Sequence, residues 1–162
     1  MRMYAPYQIG RRQVRAHLAK PAKSPRTLAP VRHMVHFPRG TVVQPGEVLM
    51  QDGRPVVLLA EHHETRDAQV LLGLKITGQL PLLRSQTVVD PVTKMAASPT
   101  FAAPEEVYVV EEVFDPDQFG NQQAARRVFY TGTEVALNDK LGGLFVRGVV
   151  KVLGIYRAEV SA

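Results

Sequence analysis

Short apolar runs separated by turn residues fill the chain from Thr41 onward, and this pattern restricts the fold more than any other feature. Residues 47–51 and 54–60 are two such runs, and the dipeptide Asp52-Gly53 joins them. Asp-Gly favours the positive φ angles of a turn whose twist matches that of two paired strands. Residues 47–60 therefore predict a β-hairpin.

The same pattern continues to the C-terminus. Residues 69–76 and 79–83 flank Thr77-Gly78 and predict a second hairpin, in which Pro81 indicates a strand at a sheet edge. Further β-type runs occupy residues 86–89, 107–113, 127–130, 133–137, 144–153 and 155–160. Many short strands at close spacing, without a βαβ rhythm, predict a small antiparallel β-barrel or sandwich.

Residues 1–40 differ in composition, because they contain five prolines and nine lysines or arginines but no Asp or Glu. Prolines disfavour a helix around them, so a short helix is expected only in residues 10–20, where Val14 and Leu18 lie four residues apart. So polar a segment cannot build a core of its own. The predicted fold is therefore mainly β: a barrel or sandwich of residues 41–162 with a long, extended, Pro-rich N-terminal arm of residues 1–40.

The arm is the basic part of a chain whose remainder is mildly acidic, since residues 41–162 hold eleven lysines and arginines against fifteen acidic residues. This asymmetry predicts an arm that contacts an anionic partner, either nucleic acid or the acidic surface of a protein. The predicted contact residues are Arg2, Arg11, Arg12, Arg15, Lys20, Lys23, Arg26, Arg32 and Arg39.

An acidic stretch without Lys or Arg is a second candidate surface. Carboxylates in such a stretch are more often a solvated strand edge or a docking surface than a catalytic pair. The arm of one subunit is expected to lie across this acidic edge of the next subunit. The residues of the predicted edge are Glu105, Glu106, Glu111, Glu112, Asp115 and Asp117.

Signals for catalysis or metal binding are incomplete. His63 and Asp67 have the four-residue spacing of zinc ligands on a helix, but they follow a β-type run. Residues 115–126 begin like a calcium-binding loop, yet Arg126 occupies the position that requires a bidentate Glu. The chain has no Cys, no phosphate-binding glycine-rich loop and no nucleophile elbow. We therefore expect no enzymatic activity, no metal and no cofactor.

Aromatic side chains on a basic sheet face are typical of proteins that bind single-stranded nucleic acid. Here several aromatic residues stand at positions that alternate inward, which favours a place in the core. These residues are Phe101, Tyr108, Phe114, Phe119, Phe129, Tyr130, Phe145 and Tyr156. Contact with DNA is therefore expected through the arm and not through the barrel.

No apolar run approaches the ~18–20 residues that a membrane span needs. The N-terminal residues lack the apolar region of a signal peptide. Together with the absence of Cys, these features predict a soluble protein of a reducing compartment, without a membrane partner.

Three segments resemble the head-completion or head-to-tail connector ("stopper") proteins of tailed bacteriophages. The segments are GEVLMQDGRPVVLL at residues 46–59, EVALNDKLGG at residues 134–143 and GIYRAEV at residues 154–160. Such proteins are small β-barrels that form a ring under the portal. The resemblance implies a structural protein of the virion, assembled in the host cytoplasm as a homo-oligomer. Its implied partners are other copies of itself, portal, capsid or tail proteins, and packaged DNA through non-specific contact.

Three alternatives stay open at this point. One is a capsid decoration protein whose arm crosses the shell, and another is a nucleic-acid-binding β-barrel with a basic arm. The third is a metal-dependent enzyme built on His62, His63 and Glu64. In the connector hypothesis, removal of residues 1–30 is expected to leave a folded domain that no longer assembles.

Overall fold

Alternation of buried and exposed side chains along short strands organises the whole chain. The computed structural model describes residues 3–20, 31–62, 69–86, 91–94, 100–112 and 127–162. The strands in these ranges are β1 (Ala5–Ile9), β2 (Arg12–Leu18), β3 (Arg32–His36), β4 (Val48–Gln51), β5 (Arg54–Ala60), β6 (Val70–Lys75), β7 (Gly78–Leu83), β8 (Ser85–Gln86), β9 (Thr100–Phe101), β10 (Glu105–Glu112), β11 (Arg127–Thr131), β12 (Lys140–Leu141), β13 (Leu144–Val152) and β14 (Ile155–Ser161).

The strands close into two barrels. The first barrel has the order β1-β2-β3-β6-β5-β4, and the second has the order β10-β11-β14-β13-β12-β7. Strands β8 and β9 form a separate two-stranded sheet. All the strand pairs in the described ranges are antiparallel, which confirms the prediction of a mainly β fold made of small antiparallel barrels. A closed barrel leaves no long strand edge open to another chain.

The predicted N-terminal arm is not what the structure shows. Strands β1, β2 and β3 supply half of the first barrel, so the expected boundary at residue 40 falls inside that barrel. The expected helix at residues 10–20 is also wrong, because residues 12–18 form β2. Val14 and Leu18 do share a face, but a strand also places residues four apart on one face. Composition misled the prediction, because cations such as Arg15 and Arg32 are exposed on strands that also carry the buried residues Val14 and Val35.

The hairpin at Asp52-Gly53 was predicted correctly, whereas the hairpin at Thr77-Gly78 was not. Asp52 and Gly53 have φ angles of 50° and 74°, and they join β4 to β5 as the Asp-Gly pair predicts. The second predicted hairpin is wrong, since β6 pairs with β3 and β5 whereas β7 pairs with β10 and β12. Thr77 and Gly78 therefore mark the passage from the first barrel to the second. Pro81 lies on β7, which pairs with a strand on each side and is therefore not the predicted edge strand. Residues 133–137, which were predicted to be a strand, form a loop.

Each barrel has its own apolar core, and a third core joins the two barrels. Leu58, Ala60 and Leu74 point outward from the first barrel and are almost completely buried. They pack against outward-facing residues of the second barrel, among them Val110 and Ile155. Two main-chain hydrogen bonds support this junction, from Thr77 N to Val109 O (3.0 Å) and from Glu61 N to Leu153 O (2.8 Å).

A close contact between two glycines completes the junction. A Cβ atom on Gly132 would overlap the carbonyl oxygen and the Cα atom of Gly46. The main chains of the second and first barrels therefore touch at a point that has no room for a side chain.

Gly132→Ala is expected to destabilise the protein by about 1–3 kcal/mol or more, because the clash is with main-chain atoms that cannot rotate away. The measurement is chemical unfolding. Gly78→Ala is the matched control, since nothing lies within 4 Å of its added methyl group. The control should change the free energy of unfolding by only about 0.5 kcal/mol. Equal effects of the two substitutions would contradict the close contact.

Removal of residues 1–30 should unfold the first barrel, contrary to the expectation for a separate arm. The deletion takes away β1 and β2 together with the buried side chains of Ile9, Val14 and Ala16. Amide protection from hydrogen exchange should be lost in β3 to β6. A truncated chain that keeps the wild-type protection in these strands would show that the barrel does not need β1 and β2.

Candidate functional site

Positive charge is concentrated on the first barrel. Among the described residues, 3–76 contain eight lysines and arginines against three acidic residues, and 77–162 contain seven against seven. The asymmetry that suggested a basic arm is therefore an asymmetry between two barrels. Of the nine predicted contact residues, Arg2, Lys23 and Arg26 lie outside the described residues.

The arginines of β2 line a groove on the outer surface of the first barrel. One side of the groove is the β1–β2 hairpin and the other is the segment from Pro38 to Val42, and the volume between them is about 860 Å³. The lining residues are Pro6, Arg12, Gln13, Val14, Arg15, Pro38, Thr41 and Val42. We call this feature the arginine groove. Arg11 and Arg39 are exposed and adjoin lining residues in sequence.

Main-chain carbonyl groups hold two of the groove's guanidinium groups. Arg12 Nη1 donates a hydrogen bond to Val42 O (2.7 Å), and its Nη2 lies 3.0 Å from Glu47 Oε1. The other oxygen of Glu47 accepts a hydrogen bond from Gln44 N at 2.9 Å. Arg15 Nη2 donates to Tyr4 O at 3.3 Å. Arg12 thus links the two sides of the groove, while most donors of Arg15 stay free of these contacts.

Barrel closure places β1 and β2 on the side of the first barrel away from the junction strands β5 and β6. In the cyclic order of six strands, β2 lies three positions from β5, and β1 lies three positions from β6. Strands β5 and β6 supply the outward-facing residues of the junction. The outward-facing side chains of β1 and β2 therefore project in the opposite direction.

The remaining predicted cations are distributed around the first barrel. Lys20 follows β2, and Arg32 begins β3 opposite Leu74 of β6. Both are exposed, as are Arg54 and Lys75 at the same mouth of the barrel. That mouth contains a second cleft of about 770 Å³ between Leu18, Val57 and residues nearby. The nine predicted residues therefore do not form one contact segment.

The predicted acidic docking edge is not continuous. Its four described members stand in two pairs at opposite ends of β10, a strand of the closed second barrel, and Asp115 and Asp117 lie outside the described residues. Glu105, Glu111 and Glu112 lie 3.5, 2.9 and 3.4 Å from Arg84, Arg127 and Arg157, respectively. The hydrogen bond to Glu111 raises the pKa of Arg127. Glu106 is exposed.

The candidate metal ligands receive no support from the described residues. His63, Glu64 and Asp67 lie outside the described ranges, and His62 is at the end of one of them. The part of the chain that the structure describes has no group of three or more His, Asp or Glu side chains placed to hold a metal ion.

Two aromatic residues that were predicted to be core residues are half-buried and belong to none of the three apolar cores. Phe101 and Phe145 have ring centroids 6.4 Å apart, and Lys140 Nζ lies 4.8 Å from each centroid. The Arg147 guanidinium lies 4.9 Å from the Phe145 ring centroid. Cation–π contacts of this kind tie β9 to the second barrel. Phe145 and Arg147 are two residues apart on one strand, so their shared face was visible in the sequence, but the contribution of Lys140 was not.

Three of the other described aromatic residues contribute to a core, whereas Tyr108 is half-buried and belongs to none of the three cores. Phe129 is fully buried in the core of the second barrel, and Tyr156 packs against that core. Tyr130 belongs to the junction, where its hydroxyl group donates a hydrogen bond to Glu112 Oε2 at 3.0 Å. Burial and the Glu112 carboxylate raise the pKa of Tyr130, because both disfavour a phenolate. Phe114 and Phe119 lie outside the described residues.

Comparison with known protein families, with curated proteins and with solved structures finds no match to this chain. Among the described residues, no helix has the length and apolar character that crossing a membrane requires.

The raised pKa of Tyr130 makes a prediction for alkaline pH. Above about pH 10 the tyrosine of the unfolded chain loses its proton, while Tyr130 in the folded protein keeps it. Above this pH the folded state binds one more proton than the unfolded state. The free energy of unfolding should therefore fall as the pH rises above about 10. Tyr130→Phe should cost about 1–2 kcal/mol at neutral pH through the lost hydrogen bond, and should weaken the alkaline decline.

Thermal unfolding between neutral pH and pH 11 measures both effects. Tyr7→Phe is the control, because burial alone raises the pKa of Tyr7 and the first barrel holds that residue. Tyr7→Phe should keep the part of the fall in stability at alkaline pH that Tyr130 causes. An unchanged decline in Tyr130→Phe would contradict this assignment.

Proposed function

We propose that the protein is a structural component of a tailed-phage virion, a head-to-tail connector (neck) protein that forms a ring through subunit–subunit contacts. The observation that carries this proposal is the pairing of two closed barrels across a shared core. One barrel has a large excess of positive charge, and the other is close to neutral. A subunit with two chemically different parts suits a ring whose two faces meet different neighbours.

The segments that resemble connector proteins supply parts of both barrels. Residues 46–59 contain the β4–β5 hairpin, and residues 134–143 lead into β13. Residues 154–160 contain the last turn and most of β14. The resemblance is thus to strand-and-turn elements of the folded protein, and this supports the proposal.

The mechanism that we propose is mechanical. A barrel held rigid by its own core, and joined to a second barrel by the junction, transmits force without a change of shape. Closed barrels contact one another through outer side chains and loops, because their strand edges are already paired. Leu137 and Val150 of the second barrel are 58% and 55% exposed and are candidates for subunit contacts. Portal, capsid or tail proteins would meet the other faces of the ring in the virion.

A second candidate function is a nucleic-acid-binding β-barrel, and the arginine groove favours it. The groove gathers Arg12 and Arg15 at one surface and leaves Arg11 and Arg39 exposed beside it. The capsid decoration alternative rested on an extended arm, whereas residues 5–18 and 32–36 are barrel strands. The enzyme alternative rested on His62, His63 and Glu64, of which His63 and Glu64 lie outside the described residues.

Ring formation predicts a single, discrete oligomer of the purified protein. We expect mass photometry over a range of concentrations to show one defined multiple of 17.9 kDa, and electron microscopy to show annular particles. Leu137→Lys with Val150→Lys should shift the protein to smaller species without a change in thermal stability, because both side chains are exposed.

The control for this experiment is the double variant Leu137→Ala with Val150→Ala. It removes apolar surface without adding charge, so its effect should lie between the wild type and the lysine variant. A protein that stays monomeric at every concentration would contradict a ring held by contacts of this chain alone. A broad distribution of sizes would also contradict it.

A further inference from the structure

We propose that the arginine groove binds the phosphodiester backbone of duplex DNA without regard to its sequence. The inference goes beyond the proposed ring and does not depend on it, because the groove is on the first barrel and the candidate ring contacts are on the second. Four observations support it: the row of donors along β2, the way in which the arginines are held, the local absence of acidic residues, and the polar groups that line the groove.

The outward-facing residues of β2 form a row of hydrogen-bond donors. Gln13 and Arg15 are exposed, His17 is half-buried, and the residues between them point into the barrel. Alternate residues of a strand lie about 6.6 Å apart. The row therefore presents several donors along one line to a phosphodiester backbone.

The arginines are positioned before any ligand arrives. The bond from Arg15 to Tyr4 O uses one terminal nitrogen and leaves the other donors of that guanidinium group available. Arg12 is fixed by Val42 O and Glu47, so its contribution is to hold the two sides of the groove together. Preordered side chains lose less conformational entropy on binding than mobile ones do.

Acidic residues are almost absent from this surface. Glu47 is the first acidic residue of the whole chain, and it is already paired with Arg12. Arg11, Arg15 and Arg39 have no acidic partner among the described residues. The positive charge near the groove is therefore not neutralised by those parts of the chain, and it is available to replace the counterions of DNA.

The donors of the groove suit a phosphodiester backbone. Its polar groups come from Arg12, Gln13, Arg15 and Thr41, and its apolar lining comes from Pro6, Val14, Pro38 and Val42. Phosphate contacts need cations and polar donors and carry no sequence information.

The test measures duplex DNA binding by fluorescence anisotropy as a function of salt concentration. The probes are two labelled 30-base-pair duplexes of unrelated sequence. The wild-type protein should bind both duplexes equally, and log K should fall linearly with log salt concentration. Arg11→Gln with Arg15→Gln should weaken binding and reduce this slope by about 2, since each lost phosphate contact changes the slope by about 1.

The matched control is Arg54→Gln with Lys75→Gln. It removes the same charge from the first barrel, but at the mouth of the barrel that lies away from Glu47 and the β1–β2 turn. The control should keep the wild-type slope. Chemical unfolding of both double variants checks that they are equally folded.

Three results would overturn the proposal. The first is no binding of either duplex at low salt, and the second is an equal loss of slope in both double variants, which would show an effect of total charge. The third is displacement of the duplex by poly-glutamate of equal charge as effectively as by unlabelled DNA, which would assign the groove to an acidic protein. None of these results bears on ring formation, which mass photometry tests separately.

Discussion

The apolar contact between the two barrels is the interaction on which the rest of the structure depends. Leu58, Ala60 and Leu74 bury the outer face of β5 and β6, while neighbouring residues of the same strands fill the inside of the first barrel. Strands with two apolar faces must be covered on both sides. The second barrel supplies that cover, and cyclic closure then turns β1 and β2 away from it. The outward direction of the β1 and β2 side chains is thus a consequence of the junction.

The charged surface follows from strand periodicity more than from composition. The N-terminal residues have the prolines and cations of a disordered segment, and on composition alone they should not form a core. Yet Val14 and Ala16 are buried while Arg15 between them is exposed. Period-two alternation allows a basic segment to contribute to a barrel, because charge is needed only on the outside. The same alternation places Gln13 and Arg15 together on the outer face of β2.

The candidate site was only partly visible in the sequence. The cationic residues could be identified, but their arrangement could not, because Arg12 meets Val42 and Glu47 at sequence separations of 30 and 35. The acidic stretch shows the opposite error. Its carboxylates look unpaired in the sequence, yet Arg84, Arg127 and Arg157 approach them from other parts of the chain. Local composition predicts which charges exist, and only the packing of distant strands determines which of them are neutralised.

Local features were determined by the sequence itself. The turn at Asp52-Gly53 is one of them, since positive φ is a property of individual residues, and the mainly β class is another, since it follows from many short runs between turns. Strand partners were decided by the tertiary structure. Residues 69–76 and 79–83 are neighbours in the chain and were expected to pair, but they belong to different barrels. Strand pairing depends on which apolar faces can be buried together, and those faces come from residues that are far apart in the sequence.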